Sequence, residues 1–212
     1  MKIALIGATG SVGTRLLAEA LRRGYQVTAI VRDPAKLSSR EGLTVIRGDA
    51  AQEGALAALL KGHDAVLSAY NGRRGSPGYT DEVLTGYRAI INAARIAGAR
   101  LLVVGGAGSL DAAPGLRLID TPNFPEAYKT EALAFAELLD ALRKETSLDW
   151  TLLSPSALLV PGERTGKFRL GEDRLLTDAG GESRISMEDL AVALIDEVER
   201  PRHVRRRFTV GY

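Results

Sequence analysis

The sequence predicts an α/β fold, a doubly wound and mostly parallel sheet with helices on both faces. Short apolar runs alternate with stretches of helical periodicity along the chain, the pattern of repeated strand–helix–strand units. The first run, Lys2 to Ile6, passes directly into Gly7-Ala8-Thr9-Gly10-Ser11-Val12-Gly13 and then into an amphipathic segment, Thr14 to Arg23. A length of 212 residues, 45% of them apolar, suits one such domain with at most a small appendage.

Gly7, Gly10 and Gly13 form a G-x-x-G-x-x-G pattern. Gly7 lets the chain turn sharply off the strand, Gly10 lets the backbone approach a pyrophosphate, and Gly13 lets the helix pack closely on the sheet. The helix N-terminus adds unpaired N–H groups and roughly half a positive charge. A tight turn without a ligand would use the same glycines. The strand before them and the helix after them are what favour a dinucleotide.

Gly24 ends the first helix, and Tyr25 to Val31 reads as strand two, with Arg32-Asp33-Pro34 at its tip. An acidic residue there would bind a ribose 2′-OH, whereas the Arg32 guanidinium suits a 2′-phosphate. NADP(H) is therefore expected, with Asp33 leaving NAD(H) open and a plain strand-end role as the bland reading of Arg32. Strand three, Leu43 to Asp49, ends where an adenine would lie, and Asp49 equally suits an N-cap for the helix from about Gln52 to Lys61. Strand four, Asp64 to Tyr70, brings Ser68, Ala69 and Tyr70 towards the ribose and pyrophosphate. The basic, glycine-rich loop Asn71 to Gly78 has the length of a mobile lid. After a helix over Asp81 to Ala97, strand five (Ala99 to Val104) ends in Gly105-Gly106-Ala107-Gly108-Ser109, small residues that leave room for a nicotinamide or substrate.

A helix is expected over Glu126 to Lys144, with Tyr128-Lys129 in its first turn, and strand six starts at Asp149 and has Pro155 just past its end. Gly162 and Gly166-Lys167 echo a phosphate loop, but the spacing is one residue short and Phe168 stands where Ser or Thr is needed. Ser186-Met187-Glu188-Asp189 resembles a capping box opening a helix to about Glu199, and Phe208 to Tyr212 reads as a last strand.

Composition removes several classes of function. There is no cysteine, hence no disulfide and no thiolate chemistry, and the two histidines lie far apart outside any ligand motif, so no metal is expected. Net charge is +2, with Arg202, Arg205, Arg206 and Arg207 reading as a solvated basic turn and not as a nucleic-acid surface. The first apolar run is too short for a signal peptide or a membrane span. A soluble cytoplasmic protein, monomeric or homodimeric and without nucleic-acid or membrane partners, is the expectation.

Taken together, Gly7 to Gly13, Val31-Arg32-Asp33-Pro34, Gly48-Asp49, Val103 to Ser109, Asp149 to Pro155 and Ile185 to Ala191 resemble the atypical short-chain dehydrogenase/reductase superfamily. The likeness is to its NAD(P)H-binding group, which includes proteins described as NADH-flavin reductases, biliverdin reductase B-like proteins and NmrA-like proteins. It covers essentially the whole chain. The resemblance implies a single Rossmann domain over 1–212, with residues from about 155 to 185 and the C-terminal strand forming a small substrate-side region. It also implies a cofactor across the strand tips, held by Gly7, Thr9, Gly10, Ser11, Val12 and Gly13 and by Arg32, Asp49 and Ala50. Ser68, Ala69 and Tyr70, then Gly105 and Gly106, then Ser154 and Pro155, continue that path.

The family's usual catalytic pair is a tyrosine with a lysine four residues later. Here Ala132 stands four residues after Tyr128, and Lys129 lies about 100° around the helix, off that face. Tyr25, Tyr70, Tyr79 and Tyr87 have no lysine at that spacing either. This argues against alcohol dehydrogenase and epimerase chemistry and matters less for reduction of a flavin or quinone, whose proton can come from water. Ser109 and Tyr128 are then candidates for orienting the acceptor. The alternative is a non-catalytic NADP(H) sensor in the manner of the NmrA-like proteins.

Overall fold

The computed structural model describes residues 1–212. Its first half alternates as expected: β1 (Lys2–Ile6), α1 (Ser11–Arg22), β2 (Gln26–Val31), β3 (Leu43–Arg47), α2 (Glu53–Leu60), β4 (Ala65–Ser68), α3 (Tyr79–Ala97) and β5 (Arg100–Val104). A short hairpin, β6 (Asp111–Ala113) and β7 (Leu116–Arg117), precedes α4 (Lys129–Lys144) and β8 (Trp150–Ser154). The chain closes with β9 (Leu158–Val160), β10 (Arg169–Gly171), β11 (Arg184–Ser186), α5 (Met187–Glu199) and β12 (Arg206–Gly211).

The main sheet runs β10-β12-β8-β5-β4-β1-β2-β3. All its pairings are parallel except that of the edge strand β10 with β12. The chain leaves β1 towards β2 and β3, and then β4 returns to the other side of β1. That reversal opens a crevice above the carboxyl ends of β1 and β4, the place where such sheets take ligands.

Both faces of the sheet are covered, which is why its central strands are apolar almost throughout. In β1, Ala4 and Ile6 point into the core under α2, α3 and α4, together with Leu101, Val103, Trp150 and Leu152. Ile3 and Leu5 point the other way, with Leu102, Val104 and Leu153, towards α1 and α5. The period of two that marks a strand is thus read out as two separate cores.

Three differences from the sequence reading bear on the site. Helix α1 starts at Ser11, three residues earlier than expected, because Gly10 O accepts from Thr14 N at 2.9 Å; Gly13 therefore lies inside the first turn. Tyr128 ends a separate 3-10 turn, Glu126–Tyr128, that follows Pro125, so α4 proper begins at Lys129. The loop after β4 is fastened and not free: Asn71 Nδ2 and Arg74 Nη2 both donate to Glu131 Oε1 at 2.9 Å, and Arg73 N donates to Glu82.

Candidate functional site

The glycine turn is built as its spacing suggests, and each glycine has its own cause. Gly7 has φ +84, and a Cβ there would sit 2.5 Å from Ala69 O, so this position keeps β1 tight against the end of β4. A Cβ at Gly13 would lie 1.9 Å from Gly7 O, which is what seats α1 against the strand it follows. Gly10 is different. It is exposed, its φ of −79 suits any residue, and a Cβ would meet only Gly7 O at 3.4 Å. Nothing inside the protein requires a glycine at position 10.

Above Gly10 the first turn of α1 is left open. Gly10 supplies no side-chain cap, the turn carries no acidic residue, and the N–H groups of Ser11, Val12 and Gly13 have no partner in the protein. Such a terminus favours an anion. Thr9 and Ser11 are exposed beside it, and Val12 is half-buried.

Arg32 stands at the tip of β2, exposed. Asp33 is already engaged, accepting from Ala35 N at 3.2 Å. Asp49 is exposed at the tip of β3 and accepts from Ala51 N at 3.0 Å; it turns the chain instead of capping α2, whose N-cap is Gln52. Ala50 beside it is buried. Tyr70 lies just past the end of β4. Burial raises its phenol above the ordinary range, the charge of Glu82 adds to this, Arg32 opposes it, and Asp49 adds a little more. The ring itself lies along α3, where a Cβ on Gly86 would strike it, and its hydroxyl donates to Glu82 O at 3.2 Å. What Tyr70 and Ala69 present to the crevice is therefore main chain. Ser68 is wholly buried, its Oγ accepting from Tyr70 N.

At the β5 tip, a side chain on Gly105 would collide with Leu152, whereas one on Gly106 would come 3.3 Å from Phe135 Cβ. Pro155 is buried past the end of β8, and the Ser154 hydroxyl is buried with no hydrogen-bond partner. A buried orphan of this kind calls for an explanation, and a polar ligand group at this edge would supply one. The open α1 terminus, the bare Gly10 surface, the exposed Arg32 and this hydroxyl lie along one edge, and together they fit a dinucleotide.

The two acceptor-orienting candidates are not brought together. Tyr128 is 60% exposed at the entrance to α4, with no partner for its phenol. Ser109 is turned onto the face of the sheet, where its Oγ and carbonyl both accept from Arg207 Nη1 at 3.2 Å. This corrects one expectation, since Arg207 is not part of a solvated turn; Ser109 Oγ is held as an acceptor and keeps its O–H proton for another partner. Arg207 is 7% exposed and also pairs with Asp173.

A further group of charges lay outside the sequence reading. Glu19 of α1, 4% exposed, takes two hydrogen bonds each from Arg22 and Arg164 and one from Arg23. Arg164 belongs to the segment between β9 and β10, which is also held by Asp189 through Thr165 and Gly166. The Glu19 cluster thus straps the C-terminal region onto the helix that carries the glycine turn. Burial acts to raise the Glu19 pKa, but the bonds from Arg164, Arg22 and Arg23 outweigh it and hold the carboxyl well below its ordinary 4.5. Stability from this source is therefore complete above that pH and is lost as pH falls below it towards the depressed folded value. Glu19→Gln is expected to lower stability by about 2 kcal/mol near neutral pH. That is less than a fully buried pair would lose, because Arg22 and Arg164 keep access to water. Thermal unfolding across acid pH checks this: the variant should lose part of the wild-type slope below pH 4.5 and fall by roughly 4–8 °C at neutral pH.

No helix is long and apolar enough to cross a membrane. Comparison with known proteins agrees with the geometry of the crevice. Residues 7–201 match a protein family described as NAD(P)H-binding. The chain is 42% identical over 214 residues to the uncharacterized protein YwnB of Bacillus subtilis (strain 168), covering 99% of this chain and 98% of that one. A solved structure of a putative epimerase from Bacteroides thetaiotaomicron shares 47% identity and a TM-score of 0.93, over 100% of this chain and 96% of that chain. A putative NADH-flavin reductase from Streptococcus pneumoniae TIGR4 shares 36% identity and a TM-score of 0.89, over 100% and 99%. With the family match spanning nearly the whole chain and the crevice built as such a cofactor requires, this protein belongs to the NAD(P)H-binding family.

Proposed function

We propose that the protein is an NADPH-dependent reductase that passes hydride to a flavin, a quinone or a similar planar acceptor. The observation that carries this reading is the side chains at the start of α4. The Tyr128 phenol stands alone in solvent, and the neighbouring Lys129 pairs with Glu126 at 3.3 Å, so no ammonium is placed to activate a tyrosine. Proton exchange with an alcohol needs such a base; hydride transfer to a planar acceptor depends chiefly on positioning. The name borne by the 47%-identical structure, an epimerase, would demand that base, whereas the name borne by the Streptococcus pneumoniae structure would not.

In this reading the N–H groups of Ser11, Val12 and Gly13 receive the pyrophosphate and Arg32 the 2′-phosphate. Asp49 and Ala50 flank the adenine. The main chain of Ser68 to Tyr70 and of Gly105-Gly106 lines the path to the nicotinamide, with Ser154 and Pro155 beyond it. The bound cofactor supplies the hydride. Tyr128 and Ser109 are the residues that orient the acceptor, with Ser109 held in place by Arg207. The segment from about 155 to 185, with β12, forms the acceptor side.

The test is oxidation of NADPH and of NADH against a panel of flavins and quinones, followed by nicotinamide absorbance. Turnover with NADPH preferred is the expected result. Tight NADPH binding with no turnover on any acceptor would overturn it in favour of a non-catalytic NADP(H) sensor.

A further inference from the structure

One polar chain at the strand-tip edge is used neither by the phosphate cradle nor by the strap on α1. It joins Asn71, just past β4, to Tyr79 at the start of α3 and Glu131 in the first turn of α4. Tyr79 is 3% exposed, and its hydroxyl donates to Asn71 Oδ1. Burial, followed by the charge of Glu131, keeps this phenol protonated far above neutral pH. The tyrosine is therefore the donor, which fixes the amide so that Asn71 Nδ2 faces Glu131 Oε1 at 2.9 Å. Arg74 Nη2 donates to the same oxygen. Both donors fall on Oε1, and Oε2 has no partner in the protein. One turn further along α4, Phe135 packs at Gly106, and residues four apart share a helix face. Glu131, its side chain 24% exposed, thus lies one turn of α4 before the residue that packs at the β5 tip, bonded to the loop after β4, with one carboxylate oxygen free.

We infer that Glu131 determines acceptor class: its free Oε2 selects planar acceptors that carry a ring imide N–H, such as an isoalloxazine, over quinones, whose ring edge offers only carbonyl oxygens. This rests on the reductase reading above. An N–H facing Oε2 forms a charge-assisted hydrogen bond, whereas a carbonyl there leaves two acceptors opposed and both undersatisfied. Sites built around one hydrogen bond reject the analogue that lacks the matching group.

The arrangement makes Glu131→Gln an inversion and not a mere loss. Asn71 and Arg74 hold the amide oxygen at the Oε1 position, so the amide NH2 must take the place of Oε2 and turn a free acceptor into a free donor. Binding of lumiflavin, 3-methyl-lumiflavin and menadione to the NADP+-loaded protein is measured by titration calorimetry, alongside kcat/KM for each with NADPH. The wild type is expected to bind lumiflavin about tenfold more tightly than its N3-methyl derivative. Glu131→Gln should erase that ratio, improve menadione and leave the NADPH Kd unchanged. Equal binding of the two flavins by the wild type, or no flavin binding at all, overturns the inference whether or not the variant folds. Absent turnover with the binding ratio intact would instead sink the reductase reading and leave Glu131 as the selector of a bound flavin.

Discussion

Gly10→Val should abolish most of the affinity for NADPH with little change in stability, and Gly13→Ala should instead cost stability. At position 10 the backbone is extended and the site faces solvent, with φ −79 and ψ 167, a conformation that β-branched residues accept. The loss of a favourable N-cap costs about 1 kcal/mol, or roughly 2–4 °C of Tm. The side chain would, however, occupy the space through which a pyrophosphate reaches the three free N–H groups of α1. Losing one charge-assisted bond of about 1.5–3 kcal/mol raises the Kd by roughly 10- to 150-fold, and losing two raises it by more than about a hundredfold. At position 13 the new Cβ would lie 1.9 Å from Gly7 O and 2.7 Å from Gly7 C, both backbone atoms. Helix α1 must lift off the strand, at about 3 kcal/mol and roughly 6–12 °C of Tm. Calorimetric melting and cofactor titration of both variants separate the two roles. Normal NADPH binding by Gly10→Val would sink the cradle.

Arg32→Ala carries the second large effect, and it concerns discrimination between cofactors. Arg32 is exposed at the end of β2, so stability should move by less than about 0.5 kcal/mol. A guanidinium paired with a 2′-phosphate is worth about 1.5–3 kcal/mol. NADPH affinity should thus fall by roughly 10- to 150-fold, with NADH nearly unchanged. Asp33 accepts from Ala35 N through Oδ1 alone, so its other oxygen is left for a ribose hydroxyl and NADH binding should survive the substitution. Equal losses for the two cofactors would refute the role given to Arg32.

The parts of the site that were legible in the sequence are those in which cause and effect lie a few residues apart. The glycine turn, the arginine after β2 and the small residues after β5 belong here. So does the mismatch of Tyr128 with Ala132, since helical spacing alone rules out that pair. The boundaries were less legible, because the start of α1 depends on one bond from Thr14 to Gly10 and that of α4 on the turn after Pro125.

The long-range pairs were not legible at all. Glu131 meets Asn71 from 60 positions away, Arg207 meets Ser109 from 98, and Arg164 meets Glu19 from 145. Glu131, Arg207, Arg164 and Glu19 each read in the sequence as an ordinary surface charge. Fold class and cofactor class follow from backbone chemistry that acts within a single turn: a missing Cβ, a positive φ, an open helix end. Which carboxylate keeps a free oxygen, and which serine keeps a free hydroxyl, is decided by the strand order, because a charged side chain takes its partner from whatever the sheet folds next to it.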